Sequence, residues 1–138
     1  MSARFPFPVP TGWFAVAWSD ELAPGEVREL RYFARDLVLF RTASGSAHVL
    51  DAFCPHLGAH LAQGRVEGDT LVCPFHAWAW DGGARCTHIP YAKRVPPNAR
   101  TRAWPVVERS GAIIGAIARF RSWASQFYPG ATGADAAR

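Results

Sequence analysis

Cysteine is scarce in this chain, with three among 138 residues. An odd and small number argues against a disulfide framework and leaves a thiol over for other use. Long apolar runs are missing too. None approaches the roughly 20 residues needed to cross a bilayer. The opening MSARFPFPVPTGW holds three prolines and one arginine and lacks the apolar core of a signal peptide. Unpaired thiols without a leader lead to the expectation of a cytoplasmic protein with no membrane span. There is no basic helix or basic-aromatic stripe, which excludes nucleic-acid recognition. Also absent are a Gly-rich phosphate loop, a Ser/His/Asp order and paired catalytic carboxylates. Helical period is nowhere sustained. What remains is globular: 49% hydrophobic and 19% charged residues, in a length that fits one domain.

The chemistry lies between Cys54 and His76, in CPHLGAHLAQGRVEGDTLVCPFH. Cys54-x-His56 is followed, after a gap of 16 residues, by Cys73-x-x-His76. The donors are two soft thiolates and two imidazoles, delivered as two Cys/His arms. Ordinary [2Fe–2S] and [4Fe–4S] clusters take four cysteines, whereas the Rieske [2Fe–2S] cluster has two histidines on one iron. On that reading Cys54 and Cys73 hold one iron and His56 and His76 the other, one cluster per chain. Zinc also accepts Cys₂His₂ and is the rival reading, although its motifs usually pair Cys with Cys and His with His. Four residues used as mere filler would require two Cys-Pro dipeptides, each closely followed by His, to arise by chance.

These arms resemble the Rieske family. CPHLGAHL and CPFHAWAWD are similar to the aromatic-ring-hydroxylating oxygenase branch. The cytochrome bc branch has an extra, disulfide-forming cysteine in each loop, where this chain has Ala59 and Phe75. The run Ile89 to Gly111, IPYAKRVPPNARTRAWPVVERSG, is similar to the segment that follows the cluster in steroid-type oxygenases of the 3-ketosteroid 9α-hydroxylase kind. The resemblance covers roughly residues 10 to 114. It implies a Rieske-type fold with a small cluster-binding subdomain at about 52–82.

Taken in order, residues 1–10 read as an extended Pro-rich arm. Gly12–Trp18 is an aromatic-rich strand, closed by Pro24-Gly25 turn chemistry. Val27–Phe33 and Asp36–Arg41 are two further strands, and Ser44-Gly45-Ser46 turns into Ala47–Asp51, whose Val49 and Leu50 should be buried. These four strands predict an antiparallel meander. Gly64–Leu71 reads as strand, turn, strand, and Asp81-Gly82-Gly83 as a hairpin turn. Thr101–Val107 and Ala112–Ile117 should return to the main sheet. The fold class is therefore all-β, an antiparallel barrel or sandwich, with the domain spanning 11–117.

Other residues carry a plain and a specific reading. His60 is a loop residue bonding backbone, or a group near the cluster that orients a ligand. Trp78 and Trp80 are core, or a shield that helps set the cluster's potential. Cys86 reads as a small buried hydrophobe. His48 reads as an exposed strand position and His88 as surface. Asp51, Glu67, Asp69 and Asp81 fall at turns and strand ends without assigned chemistry. The net charge of +4 comes from scattered arginines, a generic surface or a docking face for an acidic electron donor.

The resemblance further implies one-electron transfer, with an NAD(P)H-dependent ferredoxin or flavin reductase as donor. The acceptor would be a catalytic Fe(II) domain or oxygenase subunit, its iron held by two histidines and a carboxylate. No histidine follows His88, so that second centre cannot be built here and no catalytic residue is assigned. After Ile114 the chain runs GAIARFRSWASQFYPGATGADAAR and leaves the family pattern. Codons read one nucleotide late become compatible with it. A frame-shifted oxygenase piece is therefore the expectation, with 118–138 a non-family tail. A free-standing Rieske ferredoxin and a zinc-stabilised structural module are the alternatives.

Overall fold

The computed structural model describes residues 12–118, and they form three antiparallel sheets. The Pro-rich arm expected at 1–10 and the tail from 119 onward lie outside the described residues. The first sheet holds β1 (Gly12–Trp18), β10 (Val106–Arg109) and β11 (Ala112–Ala118), in the order β1-β11-β10. The second holds β2 (Val27–Tyr32), β3 (Arg35–Arg41), β4 (Ala47–Asp51) and β9 (Ala103–Trp104), in that order. β5 (Arg65–Glu67), β6 (Thr70–Val72), β7 (Ala79–Trp80) and β8 (Cys86–His88) make the third. Among the described residues helix is limited to two 3₁₀ turns, Ser19–Glu21 and Leu61–Gln63. Among the described residues no helix is long and apolar enough to cross a membrane.

The second sheet is the middle layer, and β3 shows why. Successive side chains of a strand point to opposite faces, so an unbroken apolar run needs cover on both sides. Leu37, Val38, Leu39 and Phe40 are all fully buried. Val38 and Phe40 join Leu50, Leu61, Leu71, Trp80, Cys54 and Cys73 in one core. Leu37 and Leu39 join Val16, Leu22, Leu30, Val49, Trp104 and Ile113 in the other. The first core is capped by the third sheet and the second by the first sheet.

The strand β1 has the expected bounds but a different partner. It pairs with β11, Phe14 against Gly115 and Trp18 against Ala112, so the meander comprises only β2, β3 and β4. A strand beginning the chain can close on one near its end because sheet pairing ignores sequence distance. Likewise the returning strands divide: β9 joins the second sheet, and β10 and β11 join the first. The expected departure near Gly115 falls within β11, whose ladder continues to Ala118. The third sheet extends beyond Gly82 to His88, since Trp80 pairs with Cys86. The segment after it folds back, with Cys86 N–H donating to Ala99 and Thr101 N–H to Ala84.

Two turns of like build leave these sheets. In the first, Cys54 N–H donates to the Ala59 carbonyl at 2.8 Å and Gly58 N–H to the Cys54 carbonyl at 2.8 Å. In the second, Cys73 N–H donates to Trp78 at 2.9 Å and Ala77 N–H to Cys73 at 3.2 Å. The residue four beyond each cysteine is left-handed, Gly58 at φ +81° and Ala77 at φ +58°. Glycine takes that conformation freely, and alanine takes it at a cost of about 1–2 kcal/mol.

The first and second sheets are pinned by Arg41 at the end of β3. Its buried guanidinium donates to the carbonyls of Leu22, Gly45 and Ser19 and, through two nitrogens, to Glu108 at 2.8 and 3.0 Å. The Arg41 hydrogen bonds hold the Glu108 carboxyl down at about 2. Because the folded-state pKa lies below the unfolded one, this contribution is complete above about 4.5 and is lost as pH falls toward about 2. Glu108→Gln is therefore expected to lower unfolding free energy by about 1 kcal/mol at neutral pH, allowing for solvent screening. In urea titrations the gap from the parent should narrow below pH 4.5. The left-handed turn gives a second expectation. Ala77→Val, with a branched side chain at that φ, should lose about 1–2 kcal/mol in the same titration, whereas Ala77→Gly should lose nothing measurable.

Candidate metal centre

The two turns bring all four motif residues to one end of the molecule. Cys54 and Cys73 point into the core and are 1% and 2% exposed. Both belong to one core cluster. Burial pushes the Cys54 thiol up to about 11. The backbone N–H of His56 opposes the rise, the neighbouring Cys73 adds to it, and the Trp80 indole N–H opposes it. Burial thus keeps the Cys54 thiol protonated until a metal displaces its proton.

The imidazoles lie on the outer side. His56 is half-buried and His76 exposed. Their ring centroids are 5.0 Å apart with planes at 77°, although they come from different turns. His56 stacks on Trp78 at 4.3 Å and 13°, and the Trp78 N–H donates to the Tyr91 hydroxyl at 2.6 Å. Tyr91 belongs to the segment that follows the third sheet, so that segment fixes the ring on which His56 rests. Phe75 packs edge-on to His76 at 5.1 Å.

The donor set separates two thiols from two imidazoles. A single tetrahedral zinc needs all four donors about 2.0–2.3 Å from one point. A thiol pair beside an imidazole pair instead fits a group of two metal atoms with unlike ligands. The donor chemistry fits a [2Fe–2S] group for a further reason: Trp80 Nε1–H is buried beside the thiols without a hydrogen-bond partner.

The remaining histidines and cysteine sort as follows. His60 accepts the Ala62 N–H through Nδ1 at 3.2 Å, capping a 3₁₀ turn. Its Nε2 faces Glu29 at 3.6 Å, too long for a hydrogen bond. It bonds backbone, as its plain reading had it. His48 is not an exposed strand position: it is half-buried, 5.4 Å from Phe40, with its ring where a side chain on Gly82 would sit. The absence of a Cβ at Gly82 lets the second and third sheets meet there, a fit no local pattern announces. Cys86 is buried and its thiol lies 3.6 Å from the His88 carbonyl. His88 is exposed. Asp51 accepts the Trp104 N–H at 2.8 Å, and Asp81 accepts the N–H groups of Gly83 and Arg85.

Comparison with known proteins gives the family. The Rieske [2Fe-2S] domain model matches residues 12–105. The 3-ketosteroid-9-alpha-monooxygenase oxygenase component of Rhodococcus rhodochrous is 44% identical over 103 residues, 75% of this chain and 27% of that protein. Cholesterol 7-desaturase nvd 1 of Ciona intestinalis is 44% identical over 106 residues, 76% of this chain and 23% of that protein. The crystal structure of apo dicamba monooxygenase superposes with a TM-score of 0.74 at 30% identity, covering 79% of this chain and 34% of that one. The chain thus spans about a quarter of the length of these curated relatives. By its sequence match, its sheets and its paired donors, the chain belongs to the Rieske [2Fe–2S] domain family, and its cofactor is a Rieske-type [2Fe–2S] cluster.

Proposed function

We propose that Cys54 and Cys73 hold one iron, that His56 and His76 hold the other, and that the chain is the electron-accepting domain of a ring- or steroid-hydroxylating oxygenase. The observation that carries the ligand assignment is the sorting of donors by two like turns, thiols inward and imidazoles outward at 5.0 Å. Bound there, the cluster supplies a one-electron redox step.

The protein's own residues supply the rest. Burial keeps water from the thiolates, while the exposed His76 gives the shortest protein path to a partner. Trp78, held by Tyr91, fixes the plane of the His56 ring. Leu57, Phe75 and Tyr91 stand exposed around the imidazoles at 63%, 66% and 64%, an apolar rim that a docked partner would close.

The donor in this reading is an NAD(P)H-dependent ferredoxin or flavin reductase. The acceptor is a catalytic Fe(II) domain or oxygenase subunit. With no histidine after His88, its two-histidine, one-carboxylate iron belongs to residues outside this sequence. Relatives named as a ketosteroid monooxygenase component and a cholesterol desaturase support a steroid or sterol as the substrate class of the assembled enzyme.

Purified without oxygen, the protein should be red-brown, contain iron and acid-labile sulfide in equal amounts, and take up one electron per chain in a reductive titration. His76→Ala should abolish the visible spectrum and the electron paramagnetic resonance of the reduced form. An intact spectrum in that variant would overturn the ligand assignment, and a colourless parent carrying zinc would overturn the redox role.

A further inference from the structure

The net charge of +4 is not spread evenly along the chain. Residues 82–107 hold five basic side chains, Arg85, Lys93, Arg94, Arg100 and Arg102, and no acidic one, so the rest of the chain is close to neutral. Arg102 lies over the Trp104 ring at 3.9 Å. Arg85, Lys93, Arg94 and Arg100 are exposed. Among the described residues none of these four has a carboxylate within ion-pair distance. The nearest carboxylate in sequence, Asp81, accepts the backbone N–H groups of Gly83 and Arg85.

The backbone sets two of these cations against each other. Arg85 and Arg100 form an antiparallel bridge. Cys86 N–H donates to Ala99 at 3.0 Å and Thr101 N–H to Ala84 at 2.9 Å. The two arginines therefore occupy the non-hydrogen-bonded position, where facing side chains come closest. Like charges directly opposite destabilise a strand pair, and a carboxylate in place of either would turn repulsion into attraction. Folding gains nothing from this pair, whereas an anionic surface would gain from both charges. Between the two arginines the chain leaves and returns, and that excursion carries Tyr91 close in sequence to Lys93 and Arg94. The Tyr91 hydroxyl is bonded to Trp78, on which His56 rests. The cations thus share a segment with the apolar rim at the imidazoles.

We propose that Arg85, Lys93, Arg94 and Arg100 form a docking face for a protein electron donor with an acidic surface. The inference rests on the reading of the chain as an electron-accepting domain, and it names the chemistry of the donor. Long-range attraction raises the rate of encounter more than the affinity, which suits a donor that must deliver one electron and leave. The apolar rim then makes the short-range contact. One electron passes from the donor's reduced centre to this chain's, with no bond made or broken. A phospholipid or nucleic-acid surface would also meet the charges, but neither supplies an electron to the imidazoles.

The test mixes the whole cluster-loaded chain with a reduced plant-type [2Fe–2S] ferredoxin of acidic surface, whose potential lies below the Rieske span. In stopped flow the second-order rate should fall about tenfold between ~0.01 M and ~1 M salt, as the screening length shrinks from ~30 Å to ~3 Å. At low salt Arg100→Glu should also slow it about tenfold. Arg109→Glu, an equal change of net charge on β10, should stay within about twofold of the parent. Because it faces Arg85, Arg100→Glu should at the same time raise the urea midpoint. Titration calorimetry with the oxidised ferredoxin should rank the three proteins in the same order without any electron moving. A rate indifferent to salt, or equal slowing by Arg100→Glu and Arg109→Glu, would overturn the proposal. So would an unchanged ferredoxin rate in Arg100→Glu together with lost binding to anionic phospholipid vesicles, which would give the patch to a membrane. A parent without the Rieske spectrum would instead overturn the reading on which the proposal rests.

Discussion

Burial of β3 on both faces is the constraint on which the rest of the molecule depends. Four consecutive apolar residues in a strand expose two side chains on each face, and water must be kept from both. Leu37 and Leu39 take cover under the first sheet, Val38 and Phe40 under the third. β4 repeats the split, with Val49 to one side and Leu50 to the other. The middle sheet therefore cannot be stable alone, and the metal-binding sheet cannot detach without exposing Val38, Phe40 and Leu50. This ties the position of both thiols to the main body. Cys54 follows directly on β4 through Ala52 and Phe53, so its turn inherits the placement of the middle layer. Leu61 N–H closes the base of that turn on Ala52 at 2.7 Å.

The two turns solve one problem twice. A thiolate ligand needs burial and donors; an imidazole ligand that passes electrons needs access. Each turn meets both demands within five residues, because its cysteine starts the turn, facing the core, and its histidine lies nearer the apex. The backbone bonds are the same in both, so the cysteines are placed alike. The histidines are not at the same offset, second after Cys54 and third after Cys73. That difference in offset lets two rings from facing turns arrive side by side with their planes crossed at 77°. Identical offsets in turns so similar would present the rings with the symmetry of the backbone instead.

Much of this was legible in the sequence because it is local. The bounds of β1 and β4, the bend at Gly45, the turn within Gly64–Leu71 and the burial of Val49 and Leu50 follow from short apolar runs and turn chemistry over a few residues. The family follows from donor type and spacing in the two Cys/His arms. What was not legible depends on distant residues meeting. Nothing near Gly12–Trp18 specifies β11 as its partner. Nothing near Arg41 announces Glu108, 67 positions away. His48 alternates as a solvent-facing position would, and only the missing side chain at Gly82 shows that a second sheet lies over it. The turn between β2 and β3 is a further case. Phe33 and Ala34 both have positive φ, at 52° and 58°, where a sequence reading looks for Asn-Gly. The Phe33 ring meets Phe14 at 5.0 Å, so a contact with the first sheet holds a turn its own residues disfavour.

The same distinction explains the outer face of the centre. An exposed apolar rim would ordinarily be removed by packing, yet Leu57, Phe75 and Tyr91 stand exposed beside the imidazoles, which in the proposed reading have to remain reachable. Covering His76 within the chain would protect the imidazoles and lengthen every electron path to a partner. Leaving polar residues there would bind water that docking must then strip away. An apolar rim avoids both, since its water is released on contact and the release favours association. Tyr91 has a second part in this: its hydroxyl accepts the Trp78 N–H while its ring stays at the surface. A partner that covered Tyr91 would bury a hydrogen bond already made, and it would tighten the support of the His56 ring instead of disturbing it. In the proposed reading, docking and the support of the His56 ring are thus joined through one tyrosine, in a segment far from the motif that announces the metal.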